Sequence, residues 1–511
     1  MFIIPNGSVK FITLPVMLND ENQLTFDDFN HQFLFFNSHV GEEIERVNFV
    51  RENKGKGIIK VNGIYTDYLN YNYMMFQNTS FNTKWFFCYI HSVKYINENV
   101  TEIEFSLDLW QTFQFQIRLL PCYIDRGHTP TDNLFENTVP EGLETGEYIY
   151  GTEQNVDMDE LGYIIGLSDY SGSHLGGIFG NIYSGVAYRY YSSGKALSEF
   201  IKEVNDKGKA DAITTIYTVP KFVMVACVDG EYLEGNVTTG SKDVHYTLAI
   251  RDIDGYIPKN KKLYCYPYNF ITVSNNKGNK ANYRLEMFRN ARNPSENTYH
   301  FKLQGSITAN STCALIPQDY KNIKNNLDEK ITLDGYPLCS WNNDVYANWL
   351  AQNQNTLKAT KNCAIVDGVQ SLINKNIGGV VGTFEKIYQQ NASIQDKATL
   401  PNHAEGNIND GNFNVANKLQ HFTIRHCVIT KEYAEKIDDF FTMYGYKINK
   451  VEIPNIKSRK NHNYIKTVGC HITGVDQEVY SKAIEQMFDN GITFWHNTEH
   501  FGYYNVENRP N

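Results

Sequence analysis

Residues 363–374 read Cys-Ala-Ile-Val-Asp-Gly-Val-Gln-Ser-Leu-Ile-Asn and lie in a stretch, 358 to about 398, that differs in texture from the rest of the chain. Apolar residues recur at the spacing of one helix face and polar residues fall opposite, so the pattern predicts an amphipathic helix. The apolar positions of this face are Ile365, Val366, Val369, Leu372, Ile373 and Ile377.

The helical pattern breaks at residues 377–382, Ile-Gly-Gly-Val-Val-Gly, and a second amphipathic segment follows. The flanking sequence is rich in short aromatic and β-branched runs, which are typical of strands. A partly helical, glycine-punctuated insert in such a chain predicts a mobile loop that seeks a membrane. Its further apolar and glycine positions are Gly378, Gly379, Val380, Val381, Gly382, Phe384 and Ile387.

An ordinary helical hairpin packed on a core is the alternative interpretation of this insert. A single spanning helix is not expected, because the charge-free run lies between Lys375 and Glu385 and a spanning helix needs about 20 apolar residues. A membrane role therefore requires the insert to lie in the interface or to assemble from several copies.

The composition is that of a folded protein that does not grip nucleic acid. Apolar residues make up 41% and charged residues 20% of 511 residues, which argues against disorder. The 35 Tyr and 30 Phe favour strands and large interfaces. Net charge is −10 without a Lys/Arg cluster, so tight DNA binding is not expected. The negative charge suits a surface that DNA slides past, or simply aids solubility.

The N-terminus and the cysteines indicate a protein made in a cytoplasm. Residues 1–7, Met-Phe-Ile-Ile-Pro-Asn-Gly, lack the basic start and long apolar core of a signal peptide. The nine cysteines are scattered without a Cys-x-x-Cys pair, so we expect reduced and mostly buried thiols.

The pattern divides the chain into five segments and predicts a mainly β fold. Residues 84–96 and 100–107 alternate on both arms and predict a hairpin. Strands are also expected at 222–228 and 262–268, and a helix at 196–207. The segments are an N-terminal β module (1–128), a middle β-rich insertion (129–262), a second β module (263–345), the apolar, amphipathic insert (346–420) and a C-terminal α+β module (421–511).

The C-terminal module has the most readable pattern. A strand at 421–429 is followed by a helix at 430–444 that stops at Gly445. Strands at 446–453 and 463–473, a helix from 476 and a strand at 492–496 complete the order βαββαβ, the split ferredoxin-like arrangement.

No motif for catalysis, metal or cofactor is found. Walker, His-Glu-x-x-His and Gly-x-Ser-x-Gly patterns are absent from the sequence. The pairs 426–427 (His-Cys) and 470–471 (Cys-His) lie on predicted strands, where neighbours point to opposite faces, so we expect buried cysteines and surface histidines. Acidic pairs such as 438–439 are interpreted as solvated surface charge, although a carboxylate pair brought together by the fold stays open.

Residues 440–451, Phe-Phe-Thr-Met-Tyr-Gly-Tyr-Lys-Ile-Asn-Lys-Val, and 487–496, Met-Phe-Asp-Asn-Gly-Ile-Thr-Phe-Trp-His, resemble the tail knob proteins of small, short-tailed, protein-primed phages (Picovirinae-type podoviruses). The similarity continues along nearly the whole chain, at residues 75–78, 84–86, 105–111, 126–128, 141–143, 266–268, 278–279, 304–306, 318–320, 454–455, 459–460 and 463–464.

The resemblance implies a non-enzymatic structural protein of the distal tail. It implies β-barrel-like modules in a homohexameric tube that contacts the proximal tail tube (lower collar) and a tail-tip protein. Apolar loops of the family plug the lumen and then form a channel through host membrane lipid, through which phage DNA passes without specific binding. This loop maps onto residues 358 to about 417, where it is shorter than in the family and carries Lys375, Glu385 and Lys386.

Two other functions stay open at this point. One is a tail-tip enzyme that degrades the cell wall, which predicts bond cleavage. The other is a receptor-binding tail protein, which predicts saturable binding to intact walls and little effect on bare lipid. The family role predicts neither.

Overall fold

The computed structural model describes the following residues: 6–47, 49–51, 56–78, 82–156, 161–167, 177–179, 182–184, 187–207, 213–224, 227–233, 239–249, 252–289, 298–306, 312–334, 338–342 and 421–511. Strands dominate this part of the chain, which confirms the prediction of a mainly β fold. The partly helical plug loop expected at 346–420 lies outside the described residues.

The strands, in chain order, are β1 Gly7–Ile12, β2 Asn22–Leu24, β3 Val40–Glu45, β4 Phe49–Arg51, β5 Lys56–Asn62, β6 Tyr73–Asn78, β7 Asn82–Asn97, β8 Val100–Leu107, β9 Arg118–Leu119, β10 Cys122–Gly127, β11 Tyr148–Val156, β12 Leu161–Leu167, β13 Gly177–Phe179, β14 Ile182–Ser184, β15 Ala187–Tyr191, β16 Ile213–Pro220, β17 Thr239–Thr247, β18 Asn269–Ser274, β19 Lys280–Arg284, β20 Thr298–Ser306, β21 Thr312–Tyr320, β22 Ile323–Asn325, β23 Ile331–Asp334, β24 Leu338–Asn342, β25 Phe422–Ile429, β26 Tyr446–Glu452, β27 His462–Val468, β28 Ile472–Thr473 and β29 Ile492–Trp495. The α-helices are α1 Phe29–Ser38, α2 Leu109–Phe113, α3 Gly194–Asp206, α4 Lys431–Tyr444 and α5 Glu478–Asn490. Single 3₁₀ turns occupy Tyr65–Tyr68, Lys221–Val223, Lys261–Tyr264, Leu285–Met287, Leu327–Glu329 and Thr498–His500.

The chain forms two compact units, and each is assembled from separate stretches of sequence. Unit 1 contains Met1–Gly146, Gly255–Tyr264 and Lys431–Asn511, whereas unit 2 contains Glu147–Asp254 and Cys265–Thr430. The five segment boundaries drawn from the sequence stay a prediction about domains.

Unit 1 is built on a seven-stranded sheet, β3-β1-β6-β7-β8-β5-β4, and a five-stranded sheet, β2-β29-β27-β10-β26. The hairpin of β7 and β8 confirms the sequence prediction, with Ile90 opposite Phe105. One continuous core joins buried residues of both sheets to α2 and α5. Within it Trp110 of α2 lies 4.5 Å, centroid to centroid, from Phe494 of β29.

Unit 2 contains the sheets β11-β25-β18-β19, β15-β12-β16-β24 and β17-β20-β21-β22. Buried aromatic side chains pack the first of these sheets against the last. Tyr283 of β19 is 5.5 Å from Phe301 of β20 and 5.5 Å from Tyr320 of β21, measured between ring centroids. These edge-to-face contacts are the favoured geometry for aromatic pairs.

The C-terminal elements occur in the predicted chain order, but they do not form one ferredoxin-like sheet. Strand β25 pairs with β11 and β18 in unit 2. In a ferredoxin-like sheet this first strand would lie between β27 and β29, but these two strands pair directly with each other. Strand β10, from more than 300 residues earlier in the chain, lies between β26 and β27. The ferredoxin-like interpretation was therefore wrong in its strand pairing, because local periodicity gives a strand's faces but not its partner.

Two predicted strands are 3₁₀ turns instead. The stretch expected as a strand at 222–228 begins with Lys221–Val223, directly after Pro220 ends β16. The stretch 262–268 overlaps Lys261–Tyr264, and the amides of Tyr268 and Asn269 both donate to the carbonyl of Cys265. Pro267, inside the stretch 262–268, has no N–H to donate to a ladder, which disfavours a strand there.

Candidate functional site

The residues predicted to form the plug, Ile365 to Ile387, all lie outside the described residues, so the structure neither brings them together nor separates them. The structure does describe both attachment points of the segment that contains them. The segment begins after β24, which pairs with β16, and ends before β25. Both strands belong to unit 2.

Strand β25 is a rigid anchor because it is hydrogen-bonded on both edges and buried on both faces. Arg425 Nε donates to Glu153 Oε2 at 2.7 Å. His426 Nε2 lies 2.6 Å from Asn269 Oδ1, and Cys427 Sγ lies 3.2 Å from Thr272 Oγ1. The C-terminal end of the segment at residue 421 is therefore fixed on the central strand of a sheet.

One of the two adjacent His/Cys pairs differs from the prediction. Cys427 and Cys470 are buried as expected, and the side chain of His471 is 73% exposed. His426, expected at the surface, is buried, because β25 is covered on both faces. Burial lowers the pKa of His426 to about 4. The seven cysteines whose state the structure describes are reduced rather than joined in disulfides, as predicted.

Asp438 on α4 was interpreted as solvated charge and is instead fully buried. Its carboxylate accepts hydrogen bonds from Tyr256 Oη (2.7 Å), from Lys259 N (2.7 Å), and from Asn260 N (3.0 Å) and Nδ2 (2.8 Å). Burial raises the pKa of Asp438 despite these donors. The carboxylate thus holds residues 255–264, a short stretch between two parts of unit 2, onto the helix of unit 1.

Glu141 forms a second buried junction in unit 1. Its side chain is 0% exposed and contacts Arg126 Nη2 and Lys262 Nζ, and its Oε1 accepts from Lys447 N at 2.8 Å. Arg126 and Glu141 both belong to the stretches that carry the family resemblance. A buried charge needs an opposite charge nearby, and no sequence pattern indicated which residues would pair.

A row of exposed apolar side chains crosses one face of the five-stranded sheet in unit 1. Tyr123 of β10 lies opposite Val451 of β26 and opposite Val468 of β27, so the three side chains are adjacent on one face. They are 40%, 70% and 59% exposed, and Ile453 just beyond β26 is 58% exposed. We call Tyr123, Val451, Val468 and Ile453 the apolar row.

Sequence analysis missed the apolar row, although a signal was present. In β10 the buried Cys122 and Ile124 flank an equally apolar residue that must point to the other face. A strand that is apolar on both faces is typical of burial on both sides or of an interface.

The described residues contain neither a membrane-crossing helix nor a metal-binding group of side chains. No helix there has both the length and the apolar character needed to cross a bilayer. No group of three or more His, Cys, Asp or Glu side chains there is arranged to hold a metal ion.

Comparison with known proteins places the chain in a family. A family model described as the C-terminal domain of tail knob protein gp9 of Bacillus phage phi29 matches residues 235–509, more than half of the chain. The chain belongs to the tail knob protein family. A model described as the N-terminus of a caudoviral major tail protein matches residues 7–118 of this tail knob protein. The resemblance found in the sequence is thereby confirmed.

Full-length relatives agree with this assignment. Tail knob protein gp9 of Bacillus phage B103 is 25% identical, covering 95% of this chain and 96% of the relative. Tail knob protein gp9 of Bacillus phage phi29 is 24% identical, covering 97% of each. Both alignments run over more positions than this chain has residues, so the relatives carry extra residues. This tail knob protein is therefore a structural component of a phage tail.

The fold agrees as well. The tail knob protein gp12 of bacteriophage C1 superposes with a TM-score of 0.58 at 12% sequence identity, covering 97% of this chain and 98% of that chain. At this identity the likeness shows a shared tail knob fold and nothing further.

Proposed function

We propose that this tail knob protein forms a homohexameric tube at the distal end of the phage tail, which is plugged before DNA release and afterwards lines a channel through the host membrane. Membership of the tail knob family over nearly the full chain carries the proposal. Within the tail, the tube contacts the proximal tail tube and a tail-tip protein.

The insert at 358–417 is the proposed plug and membrane-active element. Its anchors favour this role, because the chain enters after a paired strand and returns into the central strand of a sheet. A loop tethered at both ends on fixed strands can change its position without unfolding the sheets. The residues proposed to face lipid are those of the amphipathic pattern, from Ile365 to Ile387.

Assembly would supply what a single insert lacks. One weakly apolar hairpin cannot satisfy its backbone in lipid alone, whereas six around one axis bury apolar faces on lipid and polar faces on water. Each chain brings a net charge of −10 to the ring. A negative lumen would repel the DNA backbone and let it slide without specific contacts.

The apolar row is the proposed contact between neighbouring subunits. Contiguous exposed apolar side chains on a sheet are a typical feature of protein interfaces. The row lies next to β26, which is an edge strand of its sheet. Burying the four side chains against a neighbour would remove them from water and leave the polar loops at the rim.

Release of a dye from liposomes tests the membrane role. The full-length protein is compared with a variant whose residues 358–417 are replaced by a short Gly/Ser linker, and both are checked for assembly by native mass measurement. A second variant, Val380→Asn with Val381→Asn, keeps the length of the insert. We expect release by the full-length protein and strongly reduced release by both variants.

Equal release by all three proteins would move the membrane activity away from the insert and contradict the proposal. Incubation with purified cell-wall glycopolymer separates the proposed role from that of a wall-degrading enzyme. We expect no new reducing ends or free amines, because the proposed function involves no bond cleavage.

A further inference from the structure

Two histidines face each other across a ladder in unit 2. Strands β17 and β20 pair antiparallel over nine residues, with His245 directly opposite His300. The two Nδ1 atoms are 2.8 Å apart, and the rings are 4.7 Å apart between centroids at an angle of 82°. One ring donates and the other accepts in this contact, since two neutral Nδ1–H groups would repel.

The spacing of the two nitrogens matches that of two ligands on one metal ion. Metal–imidazole bonds are about 2.0 Å long, so two nitrogens at a right angle on one ion lie roughly 2.8 Å apart. We propose that His245 and His300 chelate a divalent late transition-metal ion, such as Ni²⁺ or Cu²⁺, through their Nδ1 atoms. Each ring then carries its proton on Nε2, and the Nδ1–H proton now shared between the rings moves to Nε2 through solvent.

The sheet holds the two histidines ready for this role. On the opposite face of the same strands, Val244, Tyr246, Tyr299 and Phe301 are buried and fix both backbones. His245 is exposed and His300 half-buried, so an ion can reach them from solvent. Only side-chain rotations are needed to bring both lone pairs onto one ion, because the ladder already sets the distance between the strands.

The neighbouring pairs on this face are compatible with a bound cation. Asp243 lies opposite Lys302 on one side, which pairs a negative charge with a positive one. On the other side, Thr247 and Thr298 bring their Oγ1 atoms to 3.3 Å. The described residues supply no third His, Cys, Asp or Glu ligand, so water or a second molecule would fill the remaining positions.

Isothermal titration of the tag-free full-length protein with Ni²⁺ tests the proposal. Ni²⁺ is preferred to Cu²⁺ as the probe because it does not oxidise thiols such as the half-exposed Cys227. The variants are His245→Gln and His300→Gln. His471→Gln, at another exposed histidine, is the matched control.

We expect one Ni²⁺ per chain in the wild type and in the control variant. Each chelate variant should bind at least about tenfold more weakly, since loss of even an outer contact to a metal ligand typically costs that much. Ni²⁺ should also raise the melting temperature of the wild type and of His471→Gln, but not that of His245→Gln or His300→Gln.

The proposal is overturned if the wild type takes up no Ni²⁺, or if both chelate variants bind with wild-type affinity and stoichiometry. A loss in one variant alone would also overturn it, because a chelate needs both rings. Far-ultraviolet circular dichroism confirms that each variant is folded before titration.

Discussion

His128 and His462 donate their Nε2–H groups to the same acceptor, the carbonyl oxygen of Thr442, at 3.1 and 2.9 Å. Thr442 lies in the last turn of α4, where carbonyls have no partner within the helix. The Nδ1 atom of His128 accepts from Tyr464 N at 2.8 Å, and Nδ1 of His462 lies 3.4 Å from Asn461 Nδ2. Both rings are therefore neutral and cap the end of α4 from the sheet side.

Stability of unit 1 is expected to fall as the pH is lowered. Burial lowers the pKa of His462 and His496 to about 4 and that of His128 well below its usual value, and the charge of nearby Arg459 lowers the pKa of His128 and His462 further. The unfolded chain binds these protons near pH 6.5, so stability is lost from about pH 6.5 down to about 4. Asp108 opposes this, because burial raises its pKa to about 6 and the folded state then takes up a proton first.

Denaturant midpoints at pH 7.5, 5.5 and 4.5 check this expectation. Each unit of pKa difference corresponds to about 1.4 kcal/mol, so the wild type should lose a measurable part of its stability over this range. The variant His462→Gln should show a shallower pH dependence whatever its stability at pH 7.5. An equal dependence in wild type and variant would show that His462 does not contribute.

Replacing Asp438 by Ala should destabilise the protein by about 3 kcal/mol or more, because several buried donors lose their acceptor. The neighbouring Asp439 is the matched control. It is half-exposed and contacts Lys259 Nζ at 3.2 Å, and an exposed ion pair of this kind contributes about 0–1 kcal/mol. Thermal or urea unfolding of Asp438→Ala and Asp439→Ala compares the two; similar losses would contradict the role given to Asp438.

Glu141→Gln should cost about 3–5 kcal/mol, since it leaves Lys262 and Arg126 without their counter-charge in the interior. The side chain of Lys262 is only 2% exposed. Glu144→Gln, three residues later and exposed, is the control and should be nearly neutral. Urea unfolding at pH 7.5 measures both. An unchanged free energy of unfolding in Glu141→Gln would contradict this role, because it would mean that the amide and water replace the carboxylate.

Gly445→Ala should destabilise the protein more than Gly142→Ala. Both glycines have positive φ (64° and 69°), so both substitutions carry the left-handed strain of about 1 kcal/mol. The two positions differ in the room available for a Cβ atom. A Cβ at Gly445 would lie 2.2 Å from the carbonyl oxygen of Gly127, whereas no atom lies within 4 Å of a Cβ at Gly142. Equal melting temperatures of the two variants would refute the close approach.

Val468→Asp should weaken assembly without loss of the fold, because it replaces one apolar side chain of the row by a charge. Val479→Asp is the control, since Val479 is 54% exposed on α5 and lies outside the row. Native mass spectrometry or light scattering at several concentrations gives the oligomeric state. The apolar row would be ruled out as the subunit contact if Val479→Asp also lost assembly. It would equally be ruled out if both variants assembled like the wild type.

Short-range pattern was enough to predict the elements whose partners are close in sequence. Strands β7 and β8 are separated by a turn of two residues, and the predicted hairpin is confirmed. Helix α3, expected at 196–207, spans Gly194–Asp206, and α4 ends at Tyr444 before Gly445 as predicted. Alternation, helical spacing and the stop at a glycine all act within a few residues, so the sequence carries them directly.

The apolar character of the insert was equally readable, because it depends only on composition and spacing. Its place in the assembly depends on contacts with other chains and stays a proposal. The family resemblance was also a property of sequence alone, carried by short motifs along the whole chain, and the family match confirms it.

Tertiary structure alone decided which strands pair and which polar groups are buried. Strand β10 lies between β26 and β27 although it precedes both by more than 300 residues. Strand β25 belongs to a different sheet from β26 and β27, which follow it in the chain. Asp438 and His426 look like surface residues in the sequence, and they are buried because residues distant in the chain supply donors and cover them. A period of two or 3.6 residues fixes which side of an element is apolar, whereas the partner that covers that side is fixed only by the packing of the whole chain.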